Sequence, residues 1–245
     1  YSPSSIISKE LCLKISLAFF FIIYKLYNIT FIMNIALIGS GGREHAICYF
    51  LKKSKKVSEI FCFPGNAGTR IIAKNVLINP DKFDHIKNFI HEKKIDLVIV
   101  GPEKPLVDGL VDYLEKFNIK VFGPNKIASQ LEGSKIFTKQ LCKKFNIPTA
   151  KFGIFESKDK CKQFIKKSDF PIVVKADNLA SGKGVYICSN FDEAEIAVEE
   201  IFNGKFGKAE NLLIEEFLKG EEMSFFIISD GKSFKMFGTA QDHKR

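Results

Sequence analysis

The stretch Met33–Phe50, MNIALIGSGGREHAICYF, sets a short apolar run, a Gly39-Ser40-Gly41-Gly42 loop and a helix-like segment in direct succession. Asn34–Ile38 is apolar at nearly every position, as expected of a strand buried on both faces of a parallel sheet. From Gly42 to Lys56 the residues Ala46, Ile47, Phe50 and Leu51 fall on one helical face, opposite a lysine-rich one. The loop invites comparison with the dinucleotide fingerprint, G-x-G-x-x-G followed by an acidic residue near the end of the second strand. That fingerprint is broken twice. Glu44 occupies the third glycine position, and the next strand ends in Phe61-Cys62-Phe63 with its only acid, Glu59, near its start. Glycine N–H groups at a helix N-terminus still suit a phosphate; a plain structural turn is the alternative that this stretch leaves open.

Working outward, strand-like and helix-like segments alternate. Val57–Phe63 is stopped by Pro64-Gly65. Phe83, Ile86 and Ile90 mark a helix, Ile95–Val100 a buried strand, Leu106, Leu110 and Leu114 a further helix, and Lys120–Phe122 a strand ended by Gly123-Pro124. Strict alternation predicts an open, Rossmann-like α/β domain with a parallel sheet over residues 33–134. The loops at Gly39–Gly42, Pro64–Thr69 and Gly101–Glu103 all follow strands, so they gather at the carboxyl ends of the sheet, where open α/β sheets bind ligands. A small phosphorylated ligand is the expectation, with Glu103 able to take an amine or a sugar hydroxyl, or equally to cap a helix.

Beyond Ser134 the rhythm changes. Strand-like runs at Pro148–Phe155, Phe170–Lys175, Val185–Cys188, Asn211–Leu218, Ser224–Ser229 and Ser233–Ala240 outnumber the helical segments Asp159–Lys167 and Asp192–Phe202. This predicts a second, α+β domain over 135–245 with antiparallel pairs. The sheet-rich pattern breaks off at Gln241–Arg245, so the domain is expected to be incomplete. At the other end, residues 1–32 hold the apolar run Ile15–Ile23 between Lys14 and Lys25. It is shorter than the roughly 20 residues of a membrane span and is followed by no small-residue cleavage site. The expectation is a non-native leader ahead of a start at Met33, with a targeting peptide as the lesser reading.

A net charge of +9 would suit nucleic acid, but all except three of the 37 basic residues are Lys, scattered along helices as solvated faces. Neither a nucleic-acid partner nor a membrane is expected. The six Cys show no C-x-x-C pair or metal-ligand spacing, and the four His are dispersed, which points to a reducing, cytoplasmic setting.

Two stretches of the second domain carry chemistry. Lys175-Ala176-Asp177-Asn178-Leu179-Ala180-Ser181-Gly182-Lys183-Gly184 is no P-loop, since Asp177 replaces its first glycine and Gly184 its Ser or Thr. It reads as a lysine-bearing flap between two strands that can close over phosphates. In Leu213-Ile214-Glu215-Glu216-Phe217-Leu218, acids inside an apolar strand are costly unless they meet a polar ligand. A carboxylate with neighbouring backbone groups there suits an adenine edge, and a carboxylate about two turns of chain later, within Gly220-Glu221-Glu222, could accept ribose hydroxyls.

In order, the pieces GSGGREHA, PGNAGT, VGPEKPLVDG, FGP, LEGSK, FTK, IPTA, VVKADNLASGKGV, IEEFLKGEEMSF and QDHKR cover Met33 to Arg245. The chain thereby resembles the N-terminal half of the glycinamide ribonucleotide synthetases (phosphoribosylamine–glycine ligases), ATP-grasp enzymes of purine biosynthesis. The resemblance implies a pre-ATP-grasp domain followed by an incomplete ATP-grasp domain. It also implies ATP-dependent joining of glycine to 5-phosphoribosylamine through glycyl phosphate. ATP would meet Lys135, Lys175, the flap residues Ser181, Gly182, Lys183 and Gly184, and Glu215, Glu216, Phe217, Leu218 and Glu222. Gly39, Gly41, Gly42, Gly65, Asn66, Gly68, Thr69 and Glu103 would line the ribosylamine site, and Asp242, Lys244 and Arg245 would reach the reacting groups. Asn178 and Ser181 depart from the family pattern in the flap. The ligands of Mg2+ (or Mn2+) would lie beyond Arg245, so residues 33–245 alone are expected not to turn over. The rival readings are another ATP-grasp carboxylate–amine ligase, a dinucleotide-binding oxidoreductase, and a ligand-binding module without catalysis.

Overall fold

The computed structural model describes residues 32–177, 184–207 and 209–243, apart from the side chain of Asp242. All of the expected leader except Ile32 lies outside these residues. The described residues form two compact units that divide between Gln130 and Leu131.

In the first unit, strands β1 (Met33–Gly39), β2 (Val57–Pro64), β3 (Lys74–Asn75), β4 (Leu97–Val100) and β5 (Val121–Phe122) form a wholly parallel sheet in the order β3-β2-β1-β4-β5. Successive strand residues face opposite sides, and both sides are covered. Ala36 and Ile38 join Phe61, Phe63, Val98 and Val100 in one core, together with Ile86 and Ile90 of a helix at Phe83–Glu92. Ile35 and Leu37 join Ile60, Cys62 and Ile99 in the other, against Cys48 of helix α1 (Gly42–Lys52). Two covered faces are why β1 is apolar without alternation.

Two details differ from the sequence expectation. Helix α1 stops at Lys52 rather than reaching Lys56, and it buries Glu44 and Cys48 while Ala46 and Phe50 are exposed. Apolar residues lie around much of this helix, so they do not by themselves predict its rotation; Glu44 and Cys48, one turn apart, face inward. Between residues 103 and 115 there is not one helix but two, Glu103–Asp108 and Leu110–Glu115, separated by Gly109 at φ 95°. Gly109 takes the left-handed conformation that ends a helix and donates its N–H to Leu106 O. The turn keeps Leu106, Leu110, Val111 and Leu114 all in the core.

Periodicity did not suggest the short helix Gln130–Gly133 at the division or α2 (Lys135–Phe145), with which the second unit opens. Its main sheet, β6 (Phe152–Phe155), β7 (Ile172–Ala176), β8 (Val185–Cys188) and β9 (Leu212–Glu216), is antiparallel in the order β6-β9-β7-β8. Ile172, Val174, Ala176, Leu212 and Ile214 pack on Cys161 and Ile165 of the helix Lys158–Ile165 and on Ala194, Ala197, Val198 and Ile201 of Phe191–Phe202. Alternation therefore turns Lys175 and Glu215 to the other face. The register Val173↔Glu215 and Lys175↔Leu213 makes them diagonal neighbours, within reach of long side chains. Strands β10 (Glu222–Ser229) and β11 (Phe234–Asp242) form a separate antiparallel pair.

Burial pushes the Cys62 and Cys161 thiols up to about 12, so these cysteines are inert at neutral pH. Gly109→Ala is expected to cost about 1–2 kcal/mol, the strain of a left-handed alanine, read as a lowered urea midpoint at unchanged slope.

Candidate functional site

The loop after β1 is shaped by one buried acid. Glu44, 4% exposed, folds back so that its Oε2 accepts the Gly41 N–H at 2.6 Å. A Cβ at Gly39, Gly41 or Gly101 would lie 2.6, 2.9 or 2.3 Å from Glu44 atoms, closer than packing allows. The glycines thus make room for the carboxylate. A carboxylate at the start of a helix is favoured by the N–H groups and dipole there. It also occupies one donor that a dinucleotide pyrophosphate would use, which is the structural counterpart of the broken fingerprint. Past it, the N–H groups of Gly42 and Arg43 have no partner within the helix.

The loop forms one wall of a cleft of about 830 Å³ that also includes Pro64, Leu77–Pro80, Pro102 and Glu103. Of the residues expected to bind a phosphorylated ligand, Gly39, Gly41, Gly42 and Glu103 line this cleft. Gly65, Asn66, Gly68 and Thr69 are not in its lining; Asn66 and Thr69 brace it. Asn66 Nδ2 donates to Ser40 O at 2.9 Å, while buried Thr69 accepts the Asn66 N–H and donates to Asn75 Oδ1, both at 2.7 Å. Sequence reading missed Arg43. Its guanidinium donates to Gly101 O at 3.1 Å and twice to Glu103 Oε1 at 2.9 Å, joining the β1 and β4 loops. Burial alone would raise the Glu103 carboxyl, but its own backbone N–H and Arg43 together hold it below the usual carboxylate range.

In the second unit Asp177, also missed, does the assembling. Ser134 caps α2 by accepting the Phe137 N–H at 3.0 Å. Asp177 accepts from Ser134 Oγ and from Ile136 N, each at 3.0 Å, which ties the helix start to the end of β7. Residues 135 and 139 share a helix face at i, i+4 spacing. Lys135 Nζ donates to Ala176 O at 3.0 Å, and burial followed by the nearby Lys175 push its ammonium pKa down against the pull of Asp177. Lys175 Nζ donates to Glu215 Oε2 at 2.8 Å, and Lys139 Nζ lies 3.2 Å from Glu215 Oε1. Three ammonium groups, Lys135, Lys139 and Lys175, beside the two carboxylates of Asp177 and Glu215 leave an excess of positive charge suited to a polyphosphate.

The other expected nucleotide contacts are placed as follows. The Glu216 N–H is committed to Lys151 O at 3.0 Å and its carboxylate accepts the Lys151 N–H at 2.9 Å. Phe217 and exposed Leu218 follow β9, and Glu222 opens β10 opposite Asp242. Gly184 O accepts the Ala176 N–H at 2.9 Å, closing the base of the loop between β7 and β8. Ser181, Gly182, Lys183, Lys244, Arg245 and the Asp242 side chain lie outside the described residues. Among the described residues no group of three or more His, Cys, Asp or Glu gathers that could hold a metal ion, and no helix is long and apolar enough to cross a membrane.

Two family models match end to end: the N domain of phosphoribosylglycinamide synthetase over residues 33–132 and its ATP-grasp (A) domain over 133–245. A phosphoribosylamine–glycine ligase of Mesorhizobium japonicum is 50% identical over 216 residues, covering 87% of this chain and 50% of the relative. The crystal structure of that ligase from Thermotoga maritima superposes with a TM-score of 0.67 at 32% identity, over 83% of this chain and 48% of that one. A biotin carboxylase domain of Hydrogenobacter thermophilus, solved with MgADP, gives a TM-score of 0.66 at 19% identity over 86% of this chain and 50% of that one; at that identity the likeness is one of fold. The chain spans about half the length of the curated relatives it matches.

Glu44→Ala is expected to cost about 1–3 kcal/mol by removing the carboxylate that accepts the Gly41 N–H, measured by urea unfolding. In Arg43→Met the Glu103 carboxyl should move up toward its ordinary range in an NMR titration. The sign follows from its depressed value in the fold: stability from Glu103 is present above the unfolded pKa and lost as pH falls through the folded one. The substitution shrinks that contribution.

Proposed function

The chain belongs to the phosphoribosylglycinamide synthetase family, and from that premise we propose that residues 33–134 bind 5-phosphoribosylamine and residues 135–245 bind ATP within a phosphoribosylamine–glycine ligase. The glycine carboxylate attacks the γ-phosphate of ATP, giving glycyl phosphate and ADP. The ribosylamine nitrogen then attacks the acyl carbon, expelling phosphate and losing a proton, to give glycinamide ribonucleotide. Catalysis of this kind is mostly positioning and neutralisation of charge.

In this reading Lys135 and Lys175 carry the nucleotide phosphates, with the residue 178–183 loop and Gly184 closing over them. Glu215 and the backbone from Glu216 to Leu218 meet adenine, and Glu222 the ribose. The Glu216 N–H is already bonded to Lys151 O, so it is not among the donors offered to the base. Glu103, held by Arg43, and the N–H groups after Gly41 receive the ribosylamine and its phosphate. Asp242, Lys244 and Arg245 belong to the reacting groups. A divalent metal accompanies the nucleotide in MgADP-bound relatives of the fold. It would supply charge neutralisation to the phosphates here, Mg2+ being our choice; the described residues offer it no cluster, and no step is assigned to it. The same reading assigns the reaction to the cytoplasm.

The observation that carries the proposal is the meeting of the LEGSK and VVKAD stretches, where Asp177 caps the helix bearing Lys135 beside the Lys175–Glu215 pair. The dinucleotide alternative is disfavoured by the Glu44 carboxylate on Gly41 N. Calorimetry with ATP and NAD tests this directly. ATP should bind and NAD should not, and Lys175→Met should weaken ATP at least tenfold, about 1.4 kcal/mol. Tight NAD binding without ATP binding would reverse the assignment.

A further inference from the structure

We propose that Lys139 is the resident counter-ion of Glu215 and, through it, a positioning residue that lets Lys175 move onto a nucleotide phosphate. The inference rests on the phosphate role of Lys175 proposed above. A carboxylate as enclosed as Glu215, 5% exposed, is destabilising unless cations or N–H groups meet it. It has two lysines, and they are held very differently. Lys139 Nζ donates to Thr149 Oγ1 at 2.6 Å, reaches Ala150 O at 3.5 Å and lies 5.5 Å from the centre of the Phe152 ring, with its side chain 11% exposed. Lys175 is more open, at 25%, and its hydrogen bond among the described residues is the one to Glu215 Oε2. Its strand runs directly into the loop that begins at Asp177.

The proton count favours the same division. An ammonium has three N–H donors. Thr149 and Ala150 take two from Lys139, leaving one on the side of Glu215. Glu215 Oε1, though 3.2 Å from Lys139 Nζ, has no aligned hydrogen bond. That acceptor is therefore unfilled while Lys175 holds Oε2. When Lys175 exchanges the carboxylate for a phosphate, Lys139 can align its third N–H on Glu215, so the buried charge is never left bare. A single lysine serving both purposes would have to strip Glu215 each time nucleotide entered. With Lys139 in place, the carboxylate parks Lys175 without trapping it.

The test measures ATP and adenosine binding to the full chain by calorimetry, for the unsubstituted chain, Lys139→Met, Lys139→Arg and Thr149→Val. Lys139→Met should weaken ATP about tenfold or more while adenosine stays within about twofold, because only the phosphates need Lys175 released. Lys139→Arg, which keeps the charge, should remain within about threefold of the unsubstituted chain for both ligands. Thr149→Val, which removes one anchor of Lys139, should weaken ATP by about threefold and leave adenosine alone. Equal losses of ATP and adenosine would mark Lys139 as a structural staple and overturn the inference, as would ATP binding unchanged in Lys139→Met. Should Lys139→Met fail to fold by circular dichroism, Thr149→Val decides by the same two criteria. Absence of ATP binding by the unsubstituted chain overturns the nucleotide reading itself; ATP binding that neither substitution disturbs overturns this inference alone.

Discussion

A carboxylate withdrawn from water must find cations or N–H groups close by, because desolvation costs several kcal/mol per ion. Among the described residues each unit contains one such acid, and much of its local structure answers that requirement. In the first unit Glu44 is met by the Gly41 N–H at the start of α1. The bond closes the first turn of the helix, and the space that Glu44 demands explains glycines in two separate loops. In the second unit Glu215 is met by side chains from two elements, Lys175 of β7 and Lys139 of α2. A backbone donor and a pair of side-chain cations are different solutions with different consequences. The first is fixed by the fold; the second can exchange partners.

The two acids also account for what was legible in the sequence. Both faces of β1 are covered by helices, so its unbroken apolar run announced the parallel sheet directly, and the loops at the strand ends followed from the topology. In β7 and β9 Lys175 and Glu215 stood out as charges inside apolar runs, whereas their shared face came from the strand register. Helix α2 escaped because its exposed lysines dilute the apolar period, and because Lys139, a charged residue, takes one of its buried positions. Its ends are set by Ser134 as the N-cap and by Asn146 at φ 54° as a left-handed stop.

Other features were illegible for a physical reason. The Arg43–Glu103 pair spans sixty positions and the Asp177 contacts with Ser134 and Ile136 span more than forty; no local pattern encodes either. Asp177 could be read only as a departure from the P-loop, whereas in space it is a helix cap. Glu44 was noticed as the residue that spoils a glycine fingerprint. Its inward turn was not, since an acid on an otherwise amphipathic helix is ordinarily assigned to solvent.

Gly42 stands apart from the glycines around it. Those at 39, 41 and 101 are dictated by the volume of Glu44, and any side chain there would collide with it. At Gly42 a Cβ would meet nothing within 4 Å, although the residue lines the cleft. Its first-turn helical position carries no steric demand for glycine. The architecture is therefore indifferent to residue 42, and selection acting there would come from the guest rather than the host. Within one four-residue loop, Gly39-Ser40-Gly41-Gly42, two glycines record the shape of the protein and the last is free to record the shape of what enters it.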